Sequence, residues 1–174
     1  MTAIIDTKLV AIANRRSEAS AGLNKIGDLV LVERGRPRIL LMKCPCGCGE
    51  ELPVNLDAQA GKAWRIYNWQ GKITLYPSVW RDTGCQSHFI IWNGRTYLFG
   101  MRDDDLFDWP DSEGGLEEEV VARLSDSLVH YLDIADGLEA IPWNVLFACR
   151  SLTRKGAAIE GRDKQRGYFR LAPR

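Results

Sequence analysis

Short apolar runs separated by turn residues dominate the chain from Gly27 to about residue 100. Residues 29–32 and residues 38–42 are apolar runs, and the five residues between them include Gly35 and Pro37. Two apolar runs joined by such a turn predict a β-hairpin, and this one leads directly into Cys44. Further strands are predicted at 51–56, 63–67, 73–76, 88–92 and 96–99, with Asn93-Gly94 as a hairpin turn.

The pattern changes to a helical period in the last third of the chain. Leucine or valine recurs at every fourth position from Leu116 to Leu132, which predicts one amphipathic helix over 116–132. A second helix is predicted to begin at Pro142 and to end near Gly156. Residues 157–171 then suggest a two-stranded ribbon with a basic turn. Helix, helix and ribbon in this order indicate a winged-helix-like region.

Charge is balanced overall but divided unevenly along the chain. The 23 basic and 23 acidic residues cancel, which argues against a protein coated with positive charge for nucleic acid. Residues 102–139 hold 13 acids and 2 bases, whereas residues 150–174 hold 8 bases and 2 acids. No apolar run approaches the roughly 18 residues of a membrane span, and an acid at position 6 makes the N-terminus a poor signal peptide. A cytoplasmic location is therefore expected.

The cysteines carry the clearest chemical signal. Cys44, Cys46 and Cys48 alternate with proline and glycine, and Cys85 is followed three residues later by His88. Glycines let the backbone turn tightly, so that several thiolates can converge, and four nitrogen or sulfur ligands are what a structural zinc site requires. We therefore expect one structural Zn²⁺. An iron–sulfur cluster is the alternative metal centre.

Five side chains compete for four ligand positions. The expected set is Cys44, Cys48, Cys85 and His88, with Cys46 as the alternative ligand from the first loop. A set of four protein ligands leaves no open position for water, so a catalytic zinc is not expected. No Ser-His-Asp arrangement, phosphate loop or His-Glu-x-x-His motif is evident in the sequence.

Three other residue types are read as structural or as contact residues. Cys149 falls on the apolar stripe of the second helix, which is typical of a core position. His130 is interpreted as a surface or packing residue. Most aromatic residues between 64 and 99 are expected in a β-core, whereas Trp69 and Trp92 fall at turn edges and are candidates for binding a protein partner.

Several segments together resemble a family of small bacterial zinc-knuckle proteins of unknown function. The segments are Gly35-Arg36-Pro37-Arg38, Cys44-Pro45-Cys46-Gly47-Cys48-Gly49, and Cys85-Gln86-Ser87-His88-Phe89. Members of that family are encoded near homologues of ubiquitin-activating and ubiquitin-conjugating enzymes and JAB-type peptidases. The resemblance covers about residues 27–100, and it implies a zinc-bound β-domain with an accessory role in a bacterial ubiquitin-like modification pathway.

Three functions follow as competing hypotheses. The first is a non-enzymatic, zinc-stabilised module that binds a ubiquitin-like protein or its conjugating machinery. The second is a nucleic-acid-binding regulator, in which Arg162, Lys164 and Arg166 of the basic ribbon contact phosphates. The third is thioester chemistry at Cys85, because Tyr76-Pro77-Ser78 followed by Cys85 resembles the active-site segment of a conjugating enzyme.

The sequence thus predicts an α+β protein with four parts. A lead-in segment at 1–26, irregular or partly helical, precedes a zinc-stabilised antiparallel β-domain at 27–100. An acidic linker at 101–113 then leads into the winged-helix-like C-terminal region at 114–174.

Overall fold

The computed structural model describes residues 3–99 and 115–173. It divides the chain into two compact units, Met1–Leu106 and Phe107–Arg174. Both units contain helices and largely antiparallel sheets, so the predicted α+β class is confirmed. The predicted acidic linker at 101–113 lies outside the described residues.

The first unit consists of two sheets and one helix. Its elements are β1 (Ala3–Asp6), β2 (Lys8–Ala13), α1 (Arg16–Gly22), β3 (Asp28–Glu33), β4 (Pro37–Lys43), β5 (Glu51–Asn55), β6 (Arg65–Trp69), β7 (Lys72–Trp80), β8 (His88–Trp92) and β9 (Arg95–Phe99). One sheet has the strand order β2-β3-β4-β5, and the other has the order β1-β9-β8-β7-β6. The predicted strands from residue 29 to residue 99 are all present, with ends shifted by a few residues.

The core of the first unit lies where side chains of both sheets meet. Leu40 of β4, Leu75 of β7 and Phe89 of β8 belong to one fully buried cluster. The other face of the first sheet is covered by α1, whose Ala19 packs among Val30 and other residues of β3 and β4. Since β3 is buried on both faces, its sequence is a continuous apolar run and not an alternating one.

The lead-in at residues 1–26 is partly helical, as expected, because it contains α1, but its described part also contains two strands that were not predicted. β1 pairs antiparallel with β9, and β2 pairs parallel with β3. Only Thr7 separates the two strands, and its hydroxyl is 2.8 Å from that of Thr96. Apolar runs as short as these do not distinguish strand from helix. Their structure is decided by neighbouring strands that supply backbone hydrogen-bond partners.

The second unit places three helices and a small sheet around a separate core. Its described elements are α2 (Leu116–Arg123), β10 (Val129–His130), α3 (Tyr131–Gly137), α4 (Pro142–Arg154), β11 (Ala158–Glu160) and β12 (Tyr168–Leu171). The sheet has the antiparallel order β10-β12-β11. Val120, Val145, Cys149 and Phe169 are buried in its core. The helix at Pro142 and the terminal ribbon are as predicted, whereas the winged-helix assignment itself stays a prediction.

The single helix predicted over 116–132 was wrong. The chain leaves the helix after Arg123, because Ser125 forms a local turn in which its hydroxyl accepts a hydrogen bond from the Ser127 N–H. The Ser125 carbonyl also accepts a hydrogen bond from Leu171 N. Serine side chains that bond to nearby backbone compete with the helical hydrogen bonds. A leucine at every fourth position therefore indicates where the apolar face is, but not that the helix is continuous.

Candidate metal centre and the adjacent strand face

Four cysteine sulfurs converge at one end of the first unit. Cys44, Cys46 and Cys48 lie in the loop that follows β4, and Cys85 lies in the loop between β7 and β8. The first loop folds back on itself, because Cys44 N–H donates to the Glu50 carbonyl at 2.8 Å. Gly47 has a φ of 86°, a conformation that a residue with a side chain seldom adopts. This turn aims the sulfurs toward one point.

The sulfur positions fit one metal ion. All four Sγ atoms lie within 4.8 Å of one another, with Cys44 Sγ 3.3 Å from Cys46 Sγ and 3.6 Å from Cys85 Sγ. A tetrahedron with Zn–S bonds of about 2.3 Å has sulfur–sulfur separations of about 3.8 Å. The four cysteines could therefore hold a metal ion after small rotations of their side chains.

The group of sulfurs differs from the expected ligand set by one member. Cys44, Cys48 and Cys85 come together, and Cys46 joins them. His88 is not part of the group; it lies in β8, where its ring stacks on Phe99 with 4.5 Å between centroids. The geometry thus favours Cys46 over His88 as the fourth ligand. The Cys-x-x-His spacing is misleading here, because His88 lies in β8 and the pairing of β8 with its neighbours fixes the position of the His88 side chain.

Two further residues contact the sulfurs, and the sequence analysis did not select them. The Ser87 hydroxyl lies 3.3 Å from both Cys44 Sγ and Cys85 Sγ. Arg81 Nη1 donates to Cys85 Sγ at 3.0 Å, and its Nη2 pairs with Glu50. Hydrogen bonding with Ser87 lowers the pKa of Cys85 to about 6, so this sulfur favours the thiolate that binds metals. The only sequence signal for Ser87 was its place in the Cys85–Phe89 motif.

The remaining cysteine and histidine are used structurally. Cys149 is fully buried in the core of the second unit, and burial raises its pKa to about 12. His130 precedes α3, and its Nδ1 accepts a hydrogen bond from Leu132 N. Its ring also packs against Tyr131 and Tyr168. Both residues therefore agree with the packing roles expected from the sequence.

His88 pairs with the end of β7 that follows Ser78. Trp80 of β7 is directly opposite His88, and Val79 is opposite Phe89. Val79 and Phe89 belong to the buried core. Between Leu75 and Val79, β7 departs from regular pairing with β8, so Ser78 lies in an irregular stretch of the strand, two residues before Trp80.

The two tryptophans proposed for partner binding have different exposures. Trp69 is 64% exposed beside the turn between β6 and β7, so it stays a candidate contact residue. Trp92 is only 2% exposed, and its expected position on a contact surface was wrong. It packs near Tyr97, with 6.1 Å between ring centroids. A position at the end of a strand does not expose a side chain that points to a covered face.

The helix α4 does not present the free face that a DNA-reading helix needs. Arg162, Lys164 and Arg166 are exposed on the ribbon, as the nucleic-acid hypothesis required. A groove-reading helix also needs a free face. Within α4, however, Arg154 is the only residue classed as exposed. The exposed cations alone do not distinguish a phosphate contact from a solvated turn. Among the described helices, none is long and apolar enough to cross a membrane.

The comparisons with known proteins add one finding. Neither a curated protein nor a solved structure matches the chain. One family model does match, over residues 16–99, which is a little under half of the 174 residues. The matched segment contains α1, the strands from β3 to β9 and all four clustered cysteines. Over this segment the chain is similar to BubE, described as the serine protease of a bacterial ubiquitination-like system.

Proposed function

We propose that this protein is a serine peptidase of a bacterial ubiquitin-like modification system, with a β-unit held together by one Zn²⁺. The observation that carries the proposal is the similarity of residues 16–99 to a family described as a serine protease. That segment contains Ser78 of β7 and His88 of β8, which are neighbouring strands of one sheet. Ser78 acts as nucleophile and His88 as the general base that takes its proton.

The choice of these two residues follows from the contents of the matched segment. His88 is the only histidine between residues 16 and 99, and the serines there are Ser17, Ser20, Ser78 and Ser87. Ser87 is buried against two sulfurs. Ser17 and Ser20 belong to α1, which packs on the first sheet and not on the sheet of His88. Ser78 remains.

The strand pair brings the two residues to the same part of the sheet. Ser78 is two residues from Trp80, and Trp80 pairs with His88. The His88 ring stacks on Phe99, and its centroid lies 6.1 Å from that of Trp80. These aromatic neighbours restrict the rotation of the imidazole.

The cysteine cluster would hold this arrangement in place from the adjacent loop. Cys85 and Ser87 fix the chain directly before His88, and Arg81 N–H donates to the Ser87 carbonyl at 2.9 Å directly after Trp80. Four thiolates are soft ligands that suit zinc in a closed tetrahedral site. The metal then supports the fold, and the peptide bond is attacked by the serine.

An activity-based probe tests the proposal directly. We expect a fluorophosphonate to label the full-length protein at Ser78, located by mass spectrometry of the tryptic peptides. Ser78→Ala abolishes labelling, and His88→Gln slows it by about 10²–10⁴-fold, the usual contribution of a general base. Ser20→Ala is the matched control and labels at the wild-type rate. Absence of labelling in metal-loaded wild-type protein, or labelling at another serine, would reject the assignment.

A non-enzymatic binding module is the second candidate function. It is favoured by two exposed tryptophans, Trp69 at 64% and Trp80 at 73%, which are typical of a contact surface. In this case the protein binds a ubiquitin-like protein or its conjugating machinery without turnover. If the fluorophosphonate leaves the protein unlabelled and the protein still binds such a partner, the binding module is favoured over the peptidase.

The thioester hypothesis receives less support from the site. Cys85 Sγ lies 3.6 Å from Cys44 Sγ and accepts a hydrogen bond from Arg81. A sulfur shared with three other cysteines and a metal is not free to form a thioester. The same probe experiment, repeated with a thiol-reactive ubiquitin-like thioester, would show whether Cys85 reacts.

A further inference from the structure

A groove runs along the outer edge of β5 in the first unit. It encloses about 330 Å³ and is lined on one side by residues 51–54 and on the other by residues 79–83. The side chain of Trp64 lies between these walls. The second wall follows Ser78 along the chain, so the groove begins next to the proposed nucleophile.

The first wall is the free edge of a sheet. β5 is the last strand in the order β2-β3-β4-β5. The Glu50 carbonyl, just before β5, and the Leu56 N–H, just after it, both form hydrogen bonds on the β4 side. Because alternate residues of a strand bond to alternate sides, the N–H and carbonyl of Glu51 and the carbonyl of Pro53 face away from β4 and toward the groove. The end of this edge at Asn55 is already occupied, because the Asn55 carbonyl accepts a hydrogen bond from Trp64 N–H at 2.8 Å.

The second wall is also a strand edge. β6 pairs with β7 only as far as Tyr76, so the end of β7 continues past its neighbour. The indole of Trp64 donates to the Ser78 carbonyl at 3.2 Å, and Trp80 is 73% exposed. A large aromatic side chain that remains open beside a groove is a typical anchor for a bound chain.

The rim of the groove carries carboxylates on both walls. Glu51 and Asp82 are exposed there, and Arg81, which also lines the groove, is paired with Glu50. Lys62 Nζ lies on the Trp64 side, 5.9 Å from the centroid of that ring. An acidic rim next to an exposed indole favours lysine or arginine in the ligand, since the indole face attracts a cation as well.

We propose that this groove binds an extended, positively charged peptide segment of the protein substrate and directs it past Trp80 to Ser78. The segment adds to the edge of β5 as a further strand, a common way of recognising extended peptides. The five residues of β5 span about 17 Å, which corresponds to about five residues of ligand. The delivery of a substrate to Ser78 rests on the proposed function; peptide binding does not.

Binding of short peptides to the full-length Ser78→Ala protein tests the groove without turnover. The probes are two fluorescein-labelled decapeptides of alanine and glycine, one with three lysines and the other with three glutamates. We expect the lysine peptide to bind at least tenfold more tightly. Trp80→Ala weakens its binding at least tenfold, and Ile12→Ala, the matched control at another exposed large apolar side chain, leaves the dissociation constant unchanged. Asp82→Asn reduces the preference for lysine over glutamate.

Three results would overturn the groove: no binding of either peptide, equal binding of both, or equal loss in the Trp80→Ala and Ile12→Ala variants. Circular dichroism of each variant confirms that the fold is kept. Failure of the groove is distinguishable from failure of the proposed peptidase. Probe labelling at Ser78 without dependence of peptide binding on Trp80 rejects only the groove, whereas peptide binding by an unlabelled wild-type protein rejects only the peptidase.

Discussion

The two units of this protein keep their segments together by different means. In the first unit, loops that are 37 or more residues apart in the chain meet at four sulfurs, and polar groups from Ser87 and Arg81 complete the cluster. In the second unit, the core around Phe169 is apolar, and its one cysteine is an inert packing residue. The first arrangement brings together four side chains that could hold a metal ion, whereas the second depends on apolar packing.

The largest difference in stability between the two units is expected when one of the four clustered cysteines is replaced. Cys44→Ser is expected to lose stoichiometric metal and the unfolding transition of the first unit, because metal binding contributes on the order of 10 kcal/mol to small metal-dependent domains. Elemental analysis of purified protein gives the metal content. Hydrogen exchange then shows loss of protection in β4 and β8 with protection retained in α4. Cys149→Ser is the matched control and keeps one metal per chain. A Cys44→Ser protein with wild-type metal content would contradict the four-sulfur site.

A substitution in the core of the second unit is expected to lower the stability of that unit only. Phe169→Ala removes a fully buried ring and is expected to cost about 3–5 kcal/mol of unfolding free energy, measured by urea denaturation. Metal content stays at the wild-type value, because Phe169 belongs to the second unit and the four sulfurs belong to the first. Arg166→Ala, at an exposed position nearby, is the control and changes the unfolding free energy by less than about 0.5 kcal/mol.

The smallest expected effect is a pH dependence confined to the second unit. Hydrogen bonding from Lys155 lowers the pKa of Glu117 below its ordinary value of 4.5. The ion pair therefore contributes stability above about pH 4.5, and the contribution is lost as the pH falls through the lower, folded-state pKa. Both side chains are partly exposed, so the contribution is less than about 1 kcal/mol. Urea denaturation at pH 7 and pH 3 should show a smaller difference for Glu117→Gln than for wild type.

Sequence patterns identified the strands of the first unit better than the helices of the second. The hairpin of β3 and β4 was predictable because two apolar runs flank a turn at Gly35, whose φ of 71° requires glycine. The helix at Pro142 was predictable from its first residue. The interruption after Arg123 was not, because it depends on the hydrogen bond between Ser125 and Leu171, which are far apart in the sequence.

The candidate site was predictable in composition but not in geometry. Alternating cysteines and glycines indicated a metal site, and three of the expected ligands do meet. The exchange of His88 for Cys46 follows from the pairing of β7 with β8, which a spacing rule does not contain. The same pairing puts Trp80 opposite His88. The spacing of these two residues in the sequence gives no signal of this contact until the strand register is known.

The single residue between β1 and β2 has a consequence for how this chain tolerates change in length. The strand before Thr7 belongs to one sheet and the strand after it to the other. One residue inserted at Thr7 would move every side chain of β1 or of β2 to the opposite surface of its sheet. Insertions and deletions at this link are therefore expected to disrupt one of the two sheets.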